Sequence, residues 1–374
     1  REAGLLAAAG EKLPFLDRIY ITAVAEGQPA WIYFRQGYRE LSGISKDNFD
    51  QAVTPAQDLT EEFEERGITL HKSAQPGVYY AGFNMEDPVV GGYSEKQRKL
   101  RQAMSLAYDT DWRIRVFANG RGINAQGIVP PGIYGYDEDF KNPYKQYDLE
   151  KARRLLAEAG WPRGRNAETG EQLSIEYDFA AAGPSAEQST HAFVRDMGQI
   201  GIEIKVNQNT WPEFLRKIHS KRSQLFGGSG WVLDYPDPEN FLQLFYGPNK
   251  APGSNSTNYQ REEYDRMYEQ VRYMANGPER MALIEKMRAM ITEDCPVIFD
   301  QHPISYTLRH QWLKNFKPHG ITGGYLKYYD IDLDTRAELR QKWNKPNYWP
   351  VAVLVGLLVV VGVMLATMRK GFAG

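Results

Sequence analysis

The sequence predicts an α/β protein of two lobes that ends in one transmembrane helix. Three observations carry this. The chain has 374 residues, more than one average domain holds, so two lobes are expected. Two β-branched, apolar stretches at 173–179 and 202–206 flank a helical pattern around Phe193, Val194 and Met197, which is the spacing of a βαβ unit. Residues 349–368 carry no charge and are dominated by Val, Leu, Gly and Ala; as a helix they rise about 30 Å, the thickness of the hydrocarbon layer.

Taken in order, residues 1–14 read as the end of a helix or a linker closing at Pro14. Residues 17–25 (DRIYITAVA) alternate and are rich in β-branched and aromatic side chains, so they predict a strand. Helical spacing around Trp31, Phe34 and Tyr38 breaks near 43–45, and the acidic run Glu61, Glu62, Glu64 and Glu65 predicts a solvated helix face. A strand is expected at 77–84. Ser94 then caps a helix whose Leu100, Ala103, Met104 and Ala107 share one face. Paired prolines and three glycines make 127–137 a loop, and Asp148 caps a helix with Leu149, Ala152, Leu155, Leu156 and Ala159 inward. A further helix over 278–293 buries Ile284, Met287 and Ile291 and stops before Pro296. Strands come next at VIFDQ and ISYTL, and the charged segment 334–348 predicts a stalk to the membrane helix, with 369–374 as a short tail.

Composition narrows the function. Net charge is −2, so the basic surplus of a nucleic-acid binder is missing. The six histidines are scattered, none in HExxH or beside a cysteine pair, so neither a metal nor a cofactor is expected. Lone Cys295, among apolar neighbours, predicts a buried inert thiol. The serine at Gly227–Trp231 lacks the last glycine of GxSxG, and phosphate-loop and dinucleotide motifs are missing, so an enzyme is not expected. Aromatics make up 13% of the chain, a level compatible with a recognition cleft.

The stretch GGSGWVLDYPDPENF, residues 227–241, concentrates the candidate chemistry. Its glycines let the backbone pass close to a ligand, and its prolines stiffen the segment after Trp231. With acids at Asp234, Asp237 and Glu239 beside Trp231, it predicts a rigid aromatic, acidic loop suited to a cationic group. The competing reading is a Gly/Pro-rich connection between packed elements.

In order and spacing, LPFLDRIYI (13–21), VYYAGFNM and KLRQAMSLAYD (78–85, 99–109), YDLEKARRLLAEAGWP (147–162), GIEIKV (201–206), GWVLDYPDPENF (230–241) and ERMALIEKMRAMITEDCPVIF (279–299) resemble the extracytoplasmic solute-binding proteins of peptide ABC transporters. That resemblance implies a two-lobed clamshell of the periplasmic-binding-protein type II kind, closing on a peptide held chiefly by its backbone. It also implies that Asp234 pairs with the ligand's α-amino group, with Trp231 in the same motif. On this reading 1–85 is a remnant of the first lobe, 86–300 the second lobe and 301–333 the return to the first. The family begins with a further stretch of first lobe that this chain lacks, which leaves two readings: the sequence is the C-terminal part of a longer protein, whose N-terminal part is then a partner, or it is a shortened relative. Two functions are open: a membrane-anchored binder that captures peptides for an ABC permease, or the same fold reused as an accessory subunit of a membrane complex. In either case the soluble part lies on the periplasmic side and the C-terminus is cytoplasmic.

Overall fold

The computed structural model describes residues 10–24, 27–180, 184–317, 325–346 and 348–371, with the side chains of 184–186, 350 and 363–371 excepted. The expectations for 1–9 and 372–374 lie outside the described residues, as do the side chains of Arg369 and Lys370.

Two sheets organise the chain. The first is built on the long strand β9, with β1 and β2 antiparallel on either side and β4 pairing with a further part of β9. These strands are β1 (Leu41–Gly43), β2 (Ile68–Ala74), β4 (Gly122–Asn124) and β9 (Gln301–His310). The second sheet contains β3 (Gly77–Phe83), β5 (Ser174–Phe179), β6 (Glu203–Gln208), β7 (Leu225–Val232) and β8 (Val297–Phe299), in the order β6-β5-β7-β3-β8. The predicted βαβ unit is present: β5 and β6 pair in parallel, joined by the helix Pro184–Gly198. A two-stranded ribbon, β10 (Leu313–Lys314) with β11 (Asp330–Ile331), completes the strands of the described residues.

Each face of the second sheet has its own core. Val78, Tyr80 and Phe226 join Phe241, Tyr264 and Met287 on one side, while Ala81, Phe83, Ile175 and Tyr177 pack against Leu100, Met104, Leu156 and Phe193 on the other. The helix Glu95–Leu106 starts where expected, with Ser94 and Gln97 in a reciprocal capping box. Asp148 accepts from the Lys151 amide and caps Leu149–Glu158. The helix Pro278–Asp294 buries Ile284, Met287 and Ile291, and Cys295 closes it in the left-handed region (φ 47). Burial pushes the Cys295 thiol up to about 12, in keeping with an inert thiol.

The two sheets are joined by two adjacent crossings. β2 passes to β3 through Gln75 and Pro76, and β8 passes to β9 through Asp300. The Gln75 amide donates to the Pro303 carbonyl (2.8 Å), the Asp300 amide to Tyr79 (2.8 Å), and the buried His302 ring lies 2.9 Å from the Gly77 carbonyl through Nδ1.

Three expectations change. Residues 17–24 form no strand and pair with none among the described residues; Ile19, Tyr20 and Ile21 stand exposed, because alternation makes a strand only when a neighbouring edge supplies its ladder. Gly227–Phe241 is not one loop: its first part is the end of β7, and Glu239–Leu242 is a helical turn. The charged stretch read as a stalk contains a helix, Leu333–Trp343, docked on the first sheet. There Trp343 lies 5.3 Å from the His310 ring and 5.4 Å from Trp312, and the Asn344 amide donates to the Gln36 carbonyl (2.9 Å).

The apolar C-terminal segment is helical over Trp349–Gly371, with Val351 through Val361 exposed as far as they are described. Described side chains end at Gly362, and among the described residues no helix is long and apolar enough to cross a membrane.

Candidate functional site

The acidic segment leaves the second sheet at the crossings. Leu233 donates its amide to the Pro76 carbonyl (2.9 Å), so Asp234 is held one residue beyond the place where β2 becomes β3. Glycine is needed just upstream for an internal reason. A Cβ at Gly227 would collide with the Tyr177 hydroxyl, and Gly228, at φ +67, would bring one within 2.9 Å of the Phe179 ring. The close approach predicted from these glycines is therefore made by the chain's own aromatic rings.

The three acids have different fates. Asp237 faces Arg280, which is 3% exposed at its side chain and donates to both carboxylate oxygens, at 2.9 and 2.6 Å. Asp237 also accepts from the Glu239 amide (2.8 Å). Glu239 accepts from the hydroxyls of Tyr235 and Tyr268. Burial, and then the hydrogen bond to Glu239, hold the Tyr268 phenol well above its ordinary range. Both of these carboxylates are occupied in holding the segment together.

Asp234 is the exposed one. Its carboxylate receives a 3.3 Å contact from the Asn240 side-chain amide. Asn240 is fully buried, and its Oδ1 accepts from the Trp231 indole (2.9 Å) and from the Asp234 backbone amide (3.1 Å). Two N–H donors on Oδ1 fix which way the side chain points, leaving its NH2 for the carboxylate. Trp231 and Asp234 are thus brought together through a third residue that sequence reasoning did not single out. The one available signal was its position in the motif PENF.

Beside Asp234 lies an open backbone edge. β5 pairs with β7 only as far as Gly227, while β3 follows the other edge of β7 to Val232. From Gly228 to Val232 no strand among the described residues covers the β5 side. A half-free strand ending at an exposed carboxylate can take an extended chain by backbone pairing and a cation at that chain's end. Among the described residues no group of three His, Cys, Asp or Glu could hold a metal ion.

Residues 10–253 match the bacterial extracellular solute-binding proteins, family 5, middle region. The chain belongs to this family. Its relatives include heme-binding protein A of Haemophilus influenzae, 25% identical over 85% of this chain and 54% of that protein. The dipeptide-binding protein of Escherichia coli is 24% identical over 66% of this chain and 44% of that one. Among solved structures, the periplasmic binding protein DppA of Helicobacter pylori in complex with the peptide STSA superposes with a TM-score of 0.68 at 22% identity, over 83% of this chain and 56% of that one. AppA of Bacillus subtilis, in complex with a nonapeptide, gives 0.68 at 19%, over 82% and 59%. These solute-binding proteins share the fold, and this family member spans about half the length of the relatives it matches.

Proposed function

We propose that the chain is part of a membrane-anchored solute-binding protein that captures peptides for an ABC transporter, with Asp234 as the counter-charge for the ligand's amino terminus. The observation that carries this reading is the contrast among the three acids: Asp237 and Glu239 are consumed by Arg280 and two tyrosines, while Asp234 is exposed beside a strand edge that no strand among the described residues pairs. Trp231 forms a wall anchored to the same asparagine. The relatives named as peptide binders support the ligand class.

In this reading 86–300 is the second lobe, 1–85 and 301–333 belong to the first, and further first-lobe sequence completes the cleft. The helix over 349–368 anchors the protein with its soluble part on the periplasmic side and its C-terminus in the cytoplasm. Tethering raises the binder's local concentration at the permease.

Calorimetric titration with a free tripeptide and its N-acetylated form tests the site. Acetylation should weaken binding by about 2 kcal/mol or more, and Asp234→Asn should remove most of that difference, since each change deletes one partner of the same charged pair. Equal affinity for both peptides would overturn the assignment. Copurification in fixed ratio with a membrane complex unrelated to a permease would favour the accessory-subunit reading.

A further inference from the structure

A second pocket lies among helices beside the first sheet: Gly27–Arg35, the end of Glu61–Glu65, and Leu333–Trp343. Ile32, Arg35, Gln36, Arg66 and Trp343 line a pocket of about 360 Å³. The Arg66 guanidinium sits 4.4 Å over the Trp343 ring and donates to the Arg35 carbonyl, yet its Nε is buried with no acceptor among the described residues. Arg35 and Arg66 share one carboxylate, Glu62, at 2.6 and 3.7 Å, which leaves one positive charge without a second carboxylate among the described residues. Burial, and then the charge of Arg35, disfavour the Arg66 cation more than Glu62 offsets. A second anion would offset that charge, and two guanidiniums lining one pocket supply N–H donors suited to a phosphate.

The pocket's place in the chain says where that anion comes from. Trp343 precedes Trp349, the first residue of the apolar helix, by six positions, so the helix begins within about 20 Å of the pocket wall. No acidic residue follows Glu338 in the sequence, while Arg340, Lys342 and Lys345 do. The segment entering the apolar helix is therefore purely basic, and Ile32, 49% exposed, adds apolar lining.

We propose that this pocket binds the phosphodiester headgroup of an anionic phospholipid in the bilayer that receives the helix Trp349–Gly371. Arg66 and Arg35 hold the phosphate, Trp343 and Ile32 flank the glycerol end, and the site fixes the soluble body against the membrane surface. This inference rests on the anchor reading.

The full chain, reconstituted in nanodiscs of phosphatidylcholine with or without phosphatidylglycerol, is released for native mass spectrometry and its retained lipids are counted. The expected result is selective retention of one phosphatidylglycerol, lowered about tenfold by Arg66→Gln through loss of a charge-assisted contact. Exposed Lys345→Gln should change it by less than about twofold, as a screened surface charge does. Arg66→Lys keeps a cation against Trp343 and should show an intermediate loss, and circular dichroism checks that each variant is folded. Equal losses for Arg66→Gln and Lys345→Gln would reduce the effect to diffuse attraction and overturn the site. So would inorganic phosphate bound as tightly in discs of phosphatidylcholine alone, which would assign the pocket to a free anion. A chain that never enters the discs overturns the anchor, and this inference with it, whereas discs that hold the chain without selecting phosphatidylglycerol overturn this inference alone.

Discussion

Asn240 decides what the carboxylate of Asp234 can do. Buried and saturated, it ties the Trp231 indole, the Asp234 backbone and the Asp234 side chain into one unit. Asn240→Ala would leave the indole N–H and one backbone N–H without an acceptor, at a cost of about 1–3 kcal/mol in stability. It would also free the Asp234 loop, so peptide affinity should fall even though the carboxylate remains. Asp234→Asn, by contrast, alters an exposed group and should change the melting temperature little while removing the preference for a free amino terminus. Paired thermal denaturation and peptide titration separate the two, and equal melting temperatures for both variants would contradict the role given to Asn240. That Trp231 and Asp234 lie together was legible because they share one short motif. Which acid is free was not legible, since Asp237 is satisfied by an arginine 43 residues away and Glu239 by a tyrosine 29 residues away.

Strand β9 carries two buried histidines, and they make the first sheet sensitive to acid. His302 presents Nδ1 to the Gly77 carbonyl; His310 presents Nε2 to that of Phe34 (2.9 Å), with its ring between Phe34 and Trp312 at 4.3 and 4.1 Å. In each ring the other nitrogen is buried without a partner among the described residues. Burial, against the help of those carbonyls, lowers both histidines to about 4 from 6.5. A histidine depressed in the folded state binds fewer protons there than when unfolded. Its contribution is therefore complete above about pH 6.5 and is lost as pH falls through about 4, by about 3 kcal/mol for each ring. Urea midpoints measured between pH 7 and 4 should drop, and His302→Asn should flatten part of that slope. An unchanged slope would place the sensitivity elsewhere. The helix starting at Glu95 offers a smaller test: Ser94→Ala breaks the capping box and should cost about 1 kcal/mol in the same titration.

Elements with strong local signals were readable from sequence, including the Ser94 and Asp148 caps and the 3.6-residue spacing at Ile284, Met287 and Ile291. Strand β2 was not, because its sequence ITLHKSA is polar at most positions and becomes a strand through the seven residues it pairs with on β9. Residues 17–24 fail in the opposite sense, with the pattern of a strand and no partner edge among the described residues.

At the scale of the whole molecule, the division between folded body and C-terminal helix is the clearest mechanical feature. The body closes on itself: Trp343 completes an aromatic stack with His310 and Trp312, and Asn344 binds back to Gln36. The side chains from Val351 to Val361 bury little against it. Removing residues 346–374 should therefore leave the melting temperature within about 2 °C, since surface changes away from packed features cost at most about 0.5 kcal/mol. Cutting before Trp343 should instead open the stack and expose His310, with a loss of several degrees, since the half-buried Trp343 ring packs on both His310 and Trp312. If the helix is the anchor proposed above, the full chain should sediment with membranes and the truncated body should move to the supernatant without detergent. Truncation before 346 that destabilises the body as strongly as truncation before 343 would mean that the helix packs on the protein. Its exposed valines and leucines would then mark an internal interface, and the surface of the body would have to supply an apolar groove to receive them.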